Sequence, residues 1–212
     1  MKLLALKNDD WKELVEEIRN CKKCRLHKNR RNTVPGEGSL NTKLIFIGEA
    51  PGVKEDEEGR PFVGAAGKLL TKLLENNGIS REEVFITNVV KCRPPGNREP
   101  YDDEIKACLP YLTRQIAMIK PKIIVTLGRV STKILYSLAH IPFTSMSKLH
   151  GSVRNVYING LEIKLIATYH PAAALYNPQL RTTLEKDFKL IITVYRENIR
   201  TSRTRTLLDF FR

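Results

Sequence analysis

The sequence predicts an α/β fold with a mainly parallel sheet covered by helices on both sides. Three observations carry that prediction. The apolar runs "LIFIG", "VFITNVV" and "KIIVTLG" lack the polar alternation of a half-solvated strand and read as strands buried on both faces. Segments with apolar residues at helical spacing separate them. Gly48-Glu49, Asn88, Gly128 and Tyr169-His170 all fall at the carboxyl ends of predicted strands, where open α/β sheets hold their ligands.

Taken in order, a first helix is expected from Asp10 to about Asn20, because Trp11, Leu14, Val15 and Ile18 share one face. "LIFIG" follows as a strand. In "KLLTKLLENNG", Leu69, Leu70, Leu73 and Leu74 line a helical face and Gly78 supplies the stop. Ser80 and Glu83 have capping-box spacing before the strand "VFITNVV". Helical periodicity runs from Tyr101 to Ile119, and Pro110 is expected to kink or divide it. After "KIIVTLG" comes a helix through Val130, Ile134, Leu135 and Leu138. "VRNVYINGLEIKLIATYH" reads as a hairpin turning at Asn159-Gly160, and a last helix is expected from about Thr183, burying Leu184, Phe188, Ile191 and Tyr195.

The chain has 212 residues, enough for one well-buried domain over residues 1–200, with residues 201–212 left as a polar tail. Lys and Arg number 36 against 23 Asp and Glu, a net charge of +13 that favours a polyanionic partner. No apolar run reaches membrane-spanning length and the N-terminus lacks a signal-peptide core, so a cytoplasmic monomer without a membrane partner is expected.

Against that charge stands "GEAPGVKEDEEGRPFVG", which carries Glu49, Glu55, Asp56, Glu57 and Glu58 just after the first buried strand. A glycine-rich loop there commonly cradles phosphate, but this one would repel it. The four cysteines are few for a disulfide scaffold. Cys21-x2-Cys24 sets two thiolates on one turn, and Cys92 and Cys108 supply a wider second pair. Four sulfur donors suit zinc or an iron–sulfur cluster on chemistry alone, and the wide second spacing leans toward the cluster.

The combination of "GEAPG…EDEEGRPFVGAAG", "TNVVKCRPPGNREP", "HPAAAL" and the four cysteines resembles the family 4 uracil-DNA glycosylases of thermophilic bacteria and archaea, over about Cys21 to Arg181. The resemblance implies a three-layer α/β/α domain around a four-stranded parallel sheet. It also implies a [4Fe-4S] cluster held by Cys21, Cys24, Cys92 and Cys108, and excision of uracil from DNA. By the same likeness Phe62 stacks on the base, Asn88 reads the uracil edge, and His170 donates to the uracil O2 as charge develops there. Glu49 and Glu55 match acidic site positions, so the loop acts at base and sugar rather than at phosphate. Ala50 stands where more familiar uracil glycosylases have a water-orienting aspartate, which leaves Glu49, Glu55 and Asn97, in that order, as candidates for the water. Leu175 or Tyr176 is a candidate wedge, and Arg181, Lys91, Arg93 and Arg98 candidate phosphate contacts. His150, in "SKLHGS", stands where relatives carry an arginine against DNA.

The tail "RTRTLLDFFR" has Thr204, Leu207, Phe210 and Phe211 at the spacing of a sliding-clamp (PCNA) binding peptide, with threonine where glutamine is usual. Two other readings stay open. A same-fold enzyme of broader range would also remove hypoxanthine or mismatched thymine, and a metal-clamped DNA-binding module would release no base.

Overall fold

The computed structural model describes residues 2–210, with side chains from residue 9 to residue 200. Six strands form one sheet in the order β1-β3-β2-β4-β6-β5. The predicted parallel core of β3 (Phe85–Asn88), β2 (Leu44–Gly48), β4 (Ile123–Leu127) and β6 (Leu161–Thr168) occupies its centre. The expected count of four strands is corrected to six by two antiparallel edges. These are β1 (Glu37–Gly38) beside β3, and β5 (Val153–Ile158) paired with β6 through the Asn159-Gly160 hairpin. Both hairpin residues take left-handed φ, 51° and 74°, as a tight two-residue turn requires.

Period-two alternation divides the core between two faces. Ile45 and Ile47 point to Leu14 and Ile18 of α1 (Lys2–Arg19) and to Leu112 and Ile116 of α4 (Asp102–Ile119). Leu44 and Phe46 point to Leu70 and Leu73 of α3 (Ala65–Glu75) and to Leu184 and Phe188 of α8 (Pro178–Phe210), with Phe46 and Phe188 stacked at 5.7 Å. α5 (Arg129–Leu138) joins the first face.

The helices refine expectation at three points. α4 is not divided at Pro110, which is exposed along with Lys106, whose carbonyl loses its helical partner to the ring. α8 begins at Pro178 rather than Thr183, because Asn177 caps it: Oδ1 accepts from the amides of Gln179 at 3.0 Å and Leu180 at 3.2 Å. The same helix continues to Phe210, so the backbone of the expected separate tail is helical up to that residue. The tail's side chains, and Phe211 altogether, lie outside what is described. Among the described residues no helix is long and apolar enough to cross a membrane.

Candidate active site

Four strand ends supply the site. β2 stops at Gly48 and β3 at Asn88, β4 ends just before Gly128, and β6 just before Tyr169 and His170. Parallel pairing sets Gly48 beside Asn88. Asn88 is 1% exposed, and its Oδ1 has no hydrogen-bond partner among the described residues. Leaving such an oxygen unpaired costs about 1–3 kcal/mol, a cost that a ligand N–H would relieve.

Phe62 is buried and holds a φ of 51°, where a bulky side chain is disfavoured. The acidic stretch explains how it stays there. Residues Val53–Glu58 form the short helix α2, and one Glu55 carboxylate oxygen accepts from the amides of Val63 and Gly64, each at 2.8 Å. The other oxygen takes the Gly52 amide at 3.1 Å, and Arg81 donates to the Pro61 carbonyl. Glu55 is therefore corrected from a group free to meet base or water to a clamp on the loop that carries Phe62. Asp56, beside it on α2, is buried and accepts from the amides of Arg31 and Asn32. A Cβ on Gly48 would come within 2.6 Å of Phe62 Cζ and closer still to Asn88 Oδ1, so glycine there lets ring and amide converge.

The His170 ring lies 5.5 Å from that of Phe62, nearly parallel to it. It caps α7 (Pro171–Ala174), its Nδ1 accepting from the Ala172 amide at 3.1 Å. An accepting Nδ1 leaves the proton on Nε2. Burial pushes the His170 pKa down to about 4, with the Glu55 carboxylate opposing. Near neutral pH the ring is an uncharged donor. Glu49, half-buried on the first residue past β2, is pushed above the usual carboxylate range by burial and by Glu99, against the pull of Arg129. Ala50 follows, half-buried against the core.

A ring, an unpaired amide oxygen and a neutral imidazole thus meet at the strand ends. The family model of the uracil DNA glycosylase superfamily matches residues 35–193, three-quarters of the chain. The chain belongs to the uracil DNA glycosylase superfamily. It is 55% identical over 184 residues to the type-4 uracil-DNA glycosylase of Saccharolobus solfataricus, covering 86% of this chain and 85% of that protein. It is 57% identical to the type-4 enzyme of Sulfurisphaera tokodaii, with coverage of 86% and 84%. To the type-5 uracil-DNA glycosylase of Pyrobaculum aerophilum it is 26% identical, over 76% of this chain and 82% of that one.

In this superfamily member the expected DNA contacts fall into two groups. Leu175 and Tyr176 follow α7 at the rim, 38% and 92% exposed, and Arg181 is exposed beside Glu185 on the next helix. Arg93 is half-buried and donates to Oδ1 of the exposed Asn97 at 2.8 Å, which ties the Asn97 amide to the turn rather than to Phe62, Asn88 or His170. Two contacts are corrected. Lys91 is fully buried, its Nζ donating at 2.7 Å to Thr87 Oγ1, the Asn88 carbonyl and Gln115 Oε1, and no phosphate can reach it. Arg98 is committed to a two-point ion pair with buried Glu104, at 2.6 and 2.8 Å, and lies over the Tyr101 ring.

All four cysteines are free thiols and line one cavity with Ile18, Arg30, Lys91 and Tyr111. Arg30 Nη1 donates to Cys92 Sγ and the Lys91 amide to Cys108 Sγ, each at 3.2 Å. Burial pushes Cys24 and Cys92 up and Cys108 to about 12. Among the described residues no group of three or more His, Cys, Asp or Glu side chains is arranged to hold a single metal ion.

Sequence reasoning missed Lys91 as a brace under Asn88, and it missed the groove of about 590 Å³ lined by Arg19, Arg30, Arg31 and Arg60 beside the cysteines. A lone lysine in an apolar strand end was the available signal for the first. The arginines of the groove come from separate segments, so nothing in their spacing announced it.

Proposed function

We propose that this chain is a uracil-DNA glycosylase that turns uracil out of DNA and hydrolyses its N-glycosidic bond, opening base excision repair. The observation that carries the reading is the unpaired, buried Asn88 Oδ1 facing the same glycine as Phe62. Uracil offers an N–H at position 3 to that oxygen and a carbonyl at position 4 to the amide nitrogen. Cytosine reverses both, setting its acceptor N3 against Oδ1 and its 4-amino donor against the amide nitrogen. The type-4 relatives carry the same activity in their names.

The C1′–N1 bond is out of reach in a duplex, so the nucleotide rotates into the site, where Phe62 stacks on the base. As the bond breaks its electron pair moves onto the uracil. The His170 Nε2–H donates to O2, where negative charge collects, and such an aimed donor acts most strongly where water is excluded. The sugar becomes cationic, and the Glu49 carboxylate faces it and orients a water. The water oxygen bonds to C1′ and its proton passes to Glu49 and on to solvent. No side chain attacks the sugar.

Cys21, Cys24, Cys92 and Cys108 would hold a [4Fe-4S] cluster. Four convergent thiols in an apolar pocket, with N–H donors already on two sulfurs, fit such a group. Bound there, it supplies a covalent tie between the segment after α1, the end of β3 and α4. DNA is the substrate, and Leu175 or Tyr176 fills the vacated stack. Leu207, Phe210 and Phe211 form the sliding-clamp contact, so deletion of residues 204–212 is expected to abolish clamp association in a pull-down while leaving excision by the free enzyme intact.

The test is base release from duplexes carrying uracil, hypoxanthine or thymine opposite guanine. Free uracil alone is the expected product. Release of all three bases makes the enzyme a broad-range one, and release of none removes the enzymatic reading.

A further inference from the structure

Phe62 holds a left-handed backbone conformation that a bulky residue keeps only where its surroundings over-determine it. The rotations φ and ψ of a residue are set by the two peptide planes that flank it. Glu55 holds the plane that follows Phe62, through the Val63 amide at 2.8 Å. The plane that precedes it contains the Pro61 carbonyl, and that oxygen accepts from Arg81, twenty residues along the chain. Arg81 stands on the turn between α3 and β3, which Ser80 and Glu83 cap as their spacing predicts.

A long guanidinium arm is only as fixed as the groups that hold it. Arg81 donates from Nε to Glu37 at 2.8 Å and from Nη1 to Thr71 Oγ1 of α3 at 3.2 Å, while Nη2 takes the Pro61 oxygen. The Arg81 and Glu37 side chains are 12% and 23% exposed, so the pair is shielded from the water that weakens surface ion pairs. Glu37 is fixed in turn by the sheet. Its two-residue strand β1 lies against β3 between Gly36 and Gly38, whose φ values are 128° and 115°. A Cβ on Gly38 would lie 1.9 Å from the Val84 carbonyl oxygen, so only glycine lets the strand approach that closely. The other Glu37 oxygen accepts from Arg60 Nε at 2.8 Å, two residues before Phe62.

We propose that Glu37 and Arg81 are positioning residues for Phe62, a strut run from the sheet edge to the loop so that the ring stands in place before the base arrives. The proposal rests on the reading of Phe62 as the stacking face of a uracil site. Among the described residues Arg81 makes no hydrogen bond to Asn88 or His170, so it acts through the Phe62 backbone alone. The strut makes the ordering of this loop part of folding instead of part of binding, which leaves more of the stacking energy for turning the nucleotide out. It also gives the Gly-Glu-Gly strand a task, because β1 is too short to add much to the sheet and its carboxylate serves two arginines.

The test is a double-mutant cycle on the full chain, read by single-turnover excision of uracil from duplex DNA. Arg81→Met is expected to slow excision at saturating enzyme about tenfold, within the loss that Phe62→Ala itself causes. Added to Phe62→Ala, the same substitution should change the rate by less than about twofold, because no ring is left to position. Arg81→Lys reaches the carbonyl or the carboxylate but not both, and should fall between wild type and Arg81→Met. Should Arg81→Met melt below the assay temperature, the isosteric Glu37→Gln runs the same cycle. Hydrogen exchange follows the loop without any chemistry: the Val63 and Gly64 amides should exchange faster in Arg81→Met by a larger factor than the amides of β4. Equal slowing with and without Phe62 would overturn the strut, as would loop exchange that rises no more than that of β4. Uracil release by Arg81→Met at the wild-type rate ends the strut alone. A wild-type chain that releases no uracil, with loop exchange still dependent on Arg81, ends the glycosylase reading alone.

Discussion

Asn88 and Lys91 stand three residues apart at the end of one strand, both buried, and they are treated in opposite ways. Lys91 donates to three oxygens and completes its bonding inside the protein. Asn88 keeps a bare side-chain amide oxygen. The two are linked, because one of the three oxygens that Lys91 holds is the backbone carbonyl of Asn88. The saturated group fixes the unsaturated one. Lys91 braces the strand end fully bonded, and Asn88, left incomplete, is where the proposed base would bond.

The comparison is tested most severely on the incomplete side. Asn88→Ala and His170→Ala are expected to slow excision by about 100–1000-fold, the scale of losing one aimed donor or acceptor. DNA affinity and melting temperature should change little, since Asn88→Ala removes an oxygen that had no partner to lose. Single-turnover excision beside duplex binding reads both quantities. A parallel collapse of binding would mean that these residues build the surface rather than read the base.

On the completed side the order of effects reverses. Lys91→Met strands Thr87 Oγ1, the Asn88 carbonyl and Gln115 Oε1 and should cost about 2–4 kcal/mol of stability in denaturant melts. Gln115 also donates to the Pro35 carbonyl, so the loop before β1 should loosen with it. Residual excision would then follow the folded fraction. A stable Lys91→Met variant with slowed chemistry would move Lys91 into the site and dissolve the contrast.

How much of this was legible follows from the same physics. The central strands were readable because burial on both faces leaves only apolar side chains. Of the two edge strands, β5 was readable as half of the Asn159-Gly160 hairpin and β1 was not: it is two residues long, and a Glu-Gly pair has no periodicity to show. Asn88, Phe62 and His170 entered through motif resemblance, and it is the fold that brings Asn88 and Phe62 to Gly48 and sets the His170 ring beside Phe62. Lys91 read as a surface cation because sequence registers charge before burial. Glu55 read as a site carboxylate rather than a loop clamp because its partners are backbone amides, which no sequence pattern displays. His150, expected against DNA, follows α6 (Met146–Leu149) and is paired with Asp187 of α8, 37 positions away, which it meets only through the sheet.

A milder contrast divides Glu49 from His170 in pH. Glu49 lies above the ordinary carboxylate value and His170 at about 4, so falling pH protonates the carboxylate first. The acid limb of saturating excision should therefore belong to Glu49 and flatten in Glu49→Gln. His170 supplies a stability term of a definite sign. Its folded pKa lies below the unfolded value, so its contribution is complete above about 6.5 and is lost as pH falls toward 4. Melting temperatures of His170→Gln should fall less steeply than wild type across that window. An excision limb at an ordinary histidine pKa, unchanged in Glu49→Gln, would refute the assignment.

The smallest effect is expected at the rim, where neither completed nor aimed groups are involved. Tyr176 is 92% exposed, and Tyr176→Ala should leave stability within about 0.5 kcal/mol of wild type. A wedge matters only where a stack must be held open, so excision from duplex DNA should fall about tenfold while excision from a single strand stays nearly constant. Leu175, less exposed and next to α7, is the internal control. If Leu175→Ala carries the duplex-specific loss and Tyr176→Ala does not, the wedge is the leucine. Equal losses on both substrates would mean that the rim holds the strand instead of opening it.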